Sequence, residues 1–399
     1  MIEIDNKENC TSCSACFNIC PVNAIEMVED NEGFKYPKVN KEKCINCHLC
    51  EKVCPIKNKY NAEENAKKPT VIAAWTKNVE TRLDSTSGGV FTELANQIYD
   101  EGGYVCGAIY NKEWMVEHIV SNDRKDIDKI RSSKYLQSNI NYVFKEIKEK
   151  LNKGHKVLMC GSPCQIAGLY NFLGKKYENL YTADFICRGM NSPKIFKGYL
   201  NELESKYNSK IVRIKFKNKI HGWHNFSTRI DFENKKRYIG GRYIDSYMIG
   251  YLKYNAFMRP SCYNCKFKDL PRMADITLAD FWGIEDIDEK LDNNQGTSMV
   301  LLNSNKGKEL FEKIKNNISY KEINSEKVFK QNVCMKESPE KTEARKKVFE
   351  NIDKMTYREL CDNYFPQPNT IQQIKIKIRE NRALNKVKRK VKKVIFRRK

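Results

Sequence analysis

No uninterrupted apolar run in this chain approaches the roughly 20 residues that span a bilayer, so no segment reads as a transmembrane helix. No GxGxxG occurs, and a Rossmann-type FAD or NAD site is therefore not supported. Histidine is scarce, at five residues in 399. The opening MIEIDNKENC has neither a basic start nor an apolar stretch; it does not read as a secretory signal, and the chain is expected in the cytoplasm. Acids are in deficit, 50 against 72 Lys and Arg, for a formal net charge of +22. Such an excess first suggests nucleic acid, but its distribution argues against that. Residues 371–399 hold 13 Lys and Arg and one acid, a net of +12 (13 − 1), so more than half of the excess sits in an appended arm.

What is abundant is cysteine, with sixteen residues. A secreted disulfide scaffold would be short and signal-bearing. This chain is neither, and metal ligation is the better reading. Residues 1–60 contain eight of the sixteen in two similar halves. NAEENAKKP (61–69) reads as a polar linker. From Thr70 the texture changes: VIAAWTKN, GGYVCGAIYN, KVLMCG, YTADFIC, SKIVRIKFKN, FSTRIDFE, ADITLAD and TSMVLLN are predicted strands. FTELANQIYDEG, IDKIRSSKYLQ, INYVFKEIKEKLNKG, SPKIFKGYLNELESKY and KGKELFEKIKNN are predicted helices. The pattern predicts an α+β (mixed α/β) chain: a small cysteine-rich domain over 1–60, a larger mixed-sheet domain over 70–335, and a charged helical basic tail over 336–399.

The first half of the repeat is Cys10-x2-Cys13-x2-Cys16-x3-Cys20-Pro21, and the second is Cys44-x2-Cys47-x2-Cys50-x3-Cys54-Pro55. This is the bacterial two-cluster ferredoxin run, whose fourth cysteine ligates the other cluster. Two residues between thiolates let one tight loop wrap three corners of a cubane. One [4Fe–4S] cluster would take Cys10, Cys13, Cys16 and Cys54, and the other Cys44, Cys47, Cys50 and Cys20. Zinc would ask for two separated pairs instead. His48 falls between ligands, and the motif is complete without it. The segment between the runs has hairpin character.

Eight cysteines remain. Cys262-Tyr-Asn-Cys265 is a CxxC, weak by itself. Cys164, in MCGSPCQIAGL, stands where a strand turns into a helix, a position that favours thiolate. Cys187 ends the strand YTADFIC. HGWHNFS places His221 and His224 around Trp223, and a histidine beside a redox cofactor is a candidate proton donor at neutral pH; a plain surface or core histidine is the competing reading.

These segments, taken together, resemble the beta-subunit family of coenzyme F420 hydrogenases and dehydrogenases. The stretches that carry the resemblance are STSGGVFTELA (85–95), RSSKYLQS (131–138), CGSPCQIAGL (160–169), FICRG (185–189), CYNCKFKDLPRMADITLADFWG (262–283) and GTSMVLLN (296–303). The resemblance covers about 70–305, and a ferredoxin domain in front is a common arrangement. It implies one FAD and a third [4Fe–4S] cluster, with ligands on Cys164, Cys187, Cys262 and Cys265; a structural zinc on the same four is the alternative. It also implies flavin contacts at Ser87, Gly88 and Gly89, where small residues open a helix, and flavin- or substrate-side contacts at Lys134, Tyr135 and Ser138. Cys106, Cys160, Cys334 and Cys361 match no ligand position and are expected to be structural. Asp280 is expected to cap or orient a loop, and Ala279 stands where the family more often has Gly.

The expected function is that of an iron–sulfur flavoprotein oxidoreductase. Electrons would pass between a one-electron carrier such as ferredoxin, the [4Fe–4S] clusters and FAD, with coenzyme F420 or another small molecule as substrate. The alternative is an electron-transfer subunit of a larger hydrogenase or dehydrogenase, without its own substrate. In the tail, Ile374, Ile376, Ile378, Val387, Val391, Val394, Ile395 and Phe396 interleave with the basic residues, which admits an anionic membrane surface as a partner, and the protein as peripheral to it; a merely solvated tail is the competing reading, of at least equal weight. A nucleic-acid partner is disfavoured.

Overall fold

The computed structural model describes residues 1–58, 62, 65–324 and 328–380, and its architecture is mixed α/β. The two cysteine runs fold alike. Each enters a short helix, Ala15–Ile19 or Leu49–Lys52, through a left-handed residue, Ser14 (φ 62°) or His48 (φ 58°). Ser12 and Asn46, two positions earlier, are also left-handed, at φ 55° and 54°. Non-glycine residues pay a steric penalty there, and its recurrence at matching positions shows one tight wrap built twice. His48 thus has a backbone role, and its Nδ1 bonds Glu51 at 2.6 Å. Between the runs, β1 (Ile25–Glu29) and β2 (Lys35–Val39) form the expected antiparallel hairpin, with Met27 opposite Pro37.

The large domain is built on a nine-stranded mixed sheet. Its strands are β3 (Thr70–Thr76), β4 (Tyr104–Tyr110), β5 (Val116–Ser121), β6 (Ser138–Asn139), β7 (Val157–Gly161), β8 (Leu180–Phe185), β12 (Ile276–Asp280), β13 (Ser298–Leu302) and β14 (Ile318–Glu322). β9 (Ile211–Asn218), β10 (Ser227–Phe232) and β11 (Arg237–Gly241) form a separate antiparallel sheet. In the large sheet the order is β14-β3-β13-β12-β8-β7-β4-β5-β6, and β12, β8, β7 and β4 run parallel. Strand period two sorts the side chains. Val157 and Met159 join helices Val143–Asn152 and Pro163–Leu173 on one face, while Leu158 joins helices Val90–Asp100 and Asn305–Ile314 on the other. A third core lies between β9–β11 and helix Pro193–Tyr207. Helices Glu343–Asn351 and Tyr357–Tyr364 add Val348, Phe349, Tyr357, Leu360, Cys361 and Phe365 to it, so this core extends well past residue 335.

One expected helix is shorter than its sequence pattern suggests. IDKIRSSKYLQ is helical only over Ile127–Ile130. Ser132 (φ 79°) and Tyr135 (φ 50°) are left-handed. The Lys134 ammonium turns back to donate to the carbonyls of Ile130 (2.8 Å), Arg131 (3.3 Å) and Ser132 (3.1 Å), which ends the helix. In the 61–69 segment, the Asn65 side chain donates to the Arg272 carbonyl at 2.7 Å, so its described residues lie against the large domain.

Candidate metal centres

The ferredoxin-like domain contains two small cavities. One is lined by Cys10, Cys13, Cys16 and Cys54, the other by Cys20, Cys44, Cys47 and Cys50. These are the two sets expected from the spacing, with the fourth cysteine exchanged between runs. All sixteen cysteines are free thiols. Backbone N–H groups point at sulfur: Ala24 at Cys20 (3.1 Å) and Ile2 at Cys50 (3.3 Å). Such bonds to cluster sulfurs are one means of setting potential.

A third set comes from three separate segments. β7 and β8 are adjacent and parallel, so their carboxyl ends lie together. Cys164 follows the first and Cys187 the second. Cys262 and Cys265 belong to the 3-10 turn Pro260–Asn264 and its cap. The Arg272–Asp184 pair (3.2 Å, side chains 2% and 0% exposed) ties β8 to the stretch that follows this turn. Gly189 is needed for close approach: a Cβ there would lie 2.4 Å from Met258 Sδ and 3.2 Å from Cys262 Cβ. Burial pushes the thiols up, Cys164 to about 12 and Cys262 to about 11, and Cys187 well above the ordinary range too, with Cys262, Cys164 and Cys265 adding to its shift. Buried thiols grouped in this way need a cation to become thiolates. The Ser162 hydroxyl (3.2 Å) and the Met190 N–H (3.4 Å) face the sulfurs of Cys164 and Cys262.

A tetrahedral zinc with Zn–S of about 2.3 Å needs its sulfurs about 3.8 Å apart. Among the described residues, the one group of three or more potential ligand atoms lying within 4.8 Å of one another is His224, Glu285 and Asp292, and it includes no cysteine. In no cysteine set, therefore, do three sulfurs lie within 4.8 Å of one another, a wider spacing than a zinc site asks for.

The Ser87–Gly89 turn lies at the same edge of the sheet. Gly89 (φ 85°) begins helix Val90–Asp100, and the Gly88 N–H donates to Ser298 Oγ at 2.9 Å. A Cβ on Gly88 would lie 2.3 Å from the Ala74 carbonyl. The sequence reading missed the row opposite this turn. β9 alternates Ile214 and Phe216, which are core residues, with Arg213, Lys215 and Lys217; Lys219 continues the row. Lys215, Lys217 and Lys219 are buried. Lys215 pairs with Asp84 (2.7 Å), Lys217 with Asp280, and Lys219 donates to the carbonyls of Arg82 (2.7 Å), Ser87 (2.5 Å) and Gln295 (2.7 Å). Burial drives Lys219 and Lys134 down to about 7. Burial opposes the charge of Lys217 too, yet Asp280 and Tyr135 hold it above the ordinary lysine range. This excess of buried ammonium at a helix N-terminus fits a polyanionic ligand such as a dinucleotide diphosphate. Strand alternation in VRIKFKNK was the signal that could have found it.

Ser138 Oγ accepts from Gln165 Nε2 at 2.9 Å, inside the large domain. Tyr135 packs edge-on against Phe216, with ring centroids 5.4 Å apart. Asp280 does orient a loop, accepting from Trp223 Nε1 at 2.8 Å; Trp223 stacks on Trp282 (4.6 Å). The two histidines separate. His224 Nε2 lies 2.9 Å from Asp292, whereas His221 is exposed and has no hydrogen bond or ion pair among the described residues.

Comparison with known proteins agrees with the cysteine geometry. Residues 154–327 match the family described as the C terminus of the beta subunit of coenzyme F420 hydrogenase/dehydrogenase, and residues 9–58 match the 4Fe-4S dicluster domain. The first match covers the stretches at 160–169, 185–189, 262–283 and 296–303, those at 85–95 and 131–138 lie outside it, and the second covers both cysteine runs of an iron–sulfur domain. No curated protein matches it. Among solved structures, a chain of the F420-reducing [NiFe] hydrogenase complex from Methanosarcina barkeri is 18% identical, with a TM-score of 0.45, covering 73% of this chain and 91% of that one. No helix among the described residues is long and apolar enough to cross a membrane.

Proposed function

We propose that this chain is an iron–sulfur flavoprotein oxidoreductase that exchanges electrons with a one-electron carrier such as ferredoxin, through three [4Fe–4S] clusters and one FAD. The observation that carries the reading is the third cysteine set, assembled at the sheet edge where the buried lysine row faces the Ser87–Gly89 turn. Clusters supply single-electron transfer and flavin supplies conversion between one- and two-electron chemistry. Cys164, Cys187, Cys262 and Cys265 would hold the inner cluster. Lys215, Lys217 and Lys219, with the N-terminus of helix Val90–Asp100, would hold the FAD diphosphate. Lys134, by ending the helix at Ile130, sets the course of the chain through Tyr135 to Ser138 beside them. His224, steadied by Asp292, is the candidate to move a proton at the substrate, coenzyme F420 or another small molecule; exposed His221 has no such support.

Anaerobic purification tests the proposal. The expected content is about twelve irons, twelve sulfides and one FAD per chain, from three cubanes of four irons each. Cys262→Ser should lower the iron to about eight and leave the ferredoxin-domain signals intact. About eight irons plus one zinc in the unaltered protein, or no flavin, overturns the reading. The family description as a beta subunit favours a second reading, an electron-transfer subunit of a larger complex. Turnover of substrate by the isolated chain excludes it. Helix Thr370–Glu380 leaves Ile371, Ile374 and Ile378 more than half exposed, ahead of a strongly basic tail. An anionic membrane surface is the partner proposed for it, with the protein in the cytoplasm and peripheral to that surface. Loss of anionic-liposome binding on removing 371–399 is the expected result.

A further inference from the structure

The two cysteine sets of the small domain differ in what they face. Cys10 and Cys13 belong to the cores of the large domain. A Cβ on Gly168, one turn after Cys164 on the same helix, would lie 2.9 Å from Cys13 Sγ. The Cys10 carbonyl accepts from buried Arg259 at 2.7 Å. The set Cys20, Cys44, Cys47 and Cys50 instead has part of its wall at the surface. Its cavity is walled by Val22, Ile45, His48 and Leu49, and Cys47 is exposed. Val22, Ile45 and Leu49 are 38%, 61% and 36% exposed. Single exposed apolar residues are ordinary; three over one cysteine-lined cavity form a patch, the usual mark of an interaction site.

Charge tells what the patch fits. Residues 1–34 carry one lysine and seven acids, a net of −6 (1 − 7). Residues 35–60 carry seven lysines and two glutamates, a net of +5 (7 − 2). The acids of the first half are partly taken up: Asp30 pairs with Lys7, Glu32 with Arg345 and Glu8 with Lys341. In the second half, Glu51 is held by Lys57, His48 and the N-terminal ammonium. Lys41, Lys43 and Lys52 are exposed and form no salt bridge among the described residues. Lys43 lies two residues from Ile45 and Lys52 closes the short helix that Leu49 begins, and with Lys41 they outnumber exposed Glu42; an apolar centre with a surplus of base beside it suits a protein–protein docking site for an acidic partner, and a nucleic acid would leave the apolar centre unmatched.

We propose that this face, centred on Val22, Ile45 and Leu49 with Lys41, Lys43 and Lys52 beside them, docks an acidic one-electron carrier protein. Electrons then pass between carrier and chain at Cys20, Cys44, Cys47 and Cys50, with the Cys10, Cys13, Cys16 and Cys54 set on the inner side. Each exchange moves one electron, so one carrier is oxidised for each cluster reduced. The proposal rests on the electron-transfer reading, but not on the flavin or the substrate.

The test uses the full-length, iron-loaded protein and a reduced acidic two-cluster ferredoxin as probe. Binding is followed by calorimetry, and cluster reduction by loss of visible absorbance in stopped flow, with dithionite as a small reductant that needs no docking. Lys43→Glu/Lys52→Glu should weaken ferredoxin binding about tenfold or more at low salt and slow ferredoxin-driven reduction, with the gap closing as salt rises. Ile45→Asp should do the same with less salt dependence. Dithionite reduction should stay within twofold. If a variant loses iron, Lys41→Glu, three residues before Cys44, decides instead. Unchanged ferredoxin binding in all of these, or a preference for anionic polynucleotide over ferredoxin, overturns the proposal. Absence of FAD from the protein would sink the flavin reading and leave this result standing.

Discussion

Arg259 provides a quantitative test of how the small domain is seated. Its side chain is 1% exposed and donates to Cys10 O (2.7 Å), Gln137 Oε1 (3.0 Å) and Lys35 O (3.1 Å), with the guanidinium 4.0 Å from the Tyr36 ring centre. It therefore joins the first cysteine run, the hairpin and the large domain at one point. Arg259→Met keeps most of the volume and removes every donor. Three charge-assisted bonds at about 1.5–3 kcal/mol each sum to about 5–9 kcal/mol. Such terms are not additive, and losing one partner of a buried charged cluster costs about 3–5 kcal/mol in practice. A local destabilisation of about 4 kcal/mol raises the open fraction of the domain contact about 1,000-fold. Anaerobic hydrogen exchange over residues 10–20 and 35–39 should report it, together with slower electron arrival at the inner cysteine set. Exchange within twofold of the unaltered protein would refute the reasoning and place the docking energy in other contacts, such as Arg345–Glu32 (2.5 Å).

Three further outcomes are expected. Gly168→Ala drives a methyl toward Cys13 Sγ, so iron at the Cys10–Cys54 set should fall, by metal analysis and by the cluster spectrum, while the Cys20–Cys50 set is retained. Lys217→Met should weaken FAD retention at least tenfold, by fluorescence of released flavin, with the iron count unchanged; it also leaves Asp280 without its ammonium partner. In iron-loaded, flavin-free protein, Lys134 and Lys219, held near 7 by burial, bind fewer protons folded than unfolded. Stability should therefore rise between pH 7 and 8.5, by at most about 1.4 kcal/mol per pH unit for each lysine, in denaturant midpoints. Below pH 7 their unfavourable charging is fully present. A flat or falling profile contradicts the assignment, and bound FAD should flatten the slope by favouring the ammonium forms.

Much of the site was legible because its information is local. The exchanged fourth cysteine follows from CxxCxxCxxxCP read twice. The strands from β3 to β13 that carry strong apolar patterning stand where the period placed them. The helix expected over IDKIRSSKYLQ failed past Ile130 for a reason that propensity does not contain: Lys134 folds back onto three carbonyls, and two residues take positive φ. The same buried ammonium was invisible as such, since a lysine in a polar stretch ordinarily reads as solvated.

Short-range spacing, by itself, determined that this chain wraps iron–sulfur cages in its first sixty residues, because a cubane's corners are reached within one loop. Spacing could propose Cys164, Cys187, Cys262 and Cys265 only through resemblance, as roughly a hundred residues separate the first from the last. Tertiary structure decided that they meet, since parallel β7 and β8 end side by side and the Arg272–Asp184 pair ties in the stretch that follows the third segment. It also decided which ferredoxin-domain set faces inward, and it turned alternating lysines on β9 into a buried cationic row. Both depend on what packs against a residue from elsewhere in the chain, which no local pattern encodes.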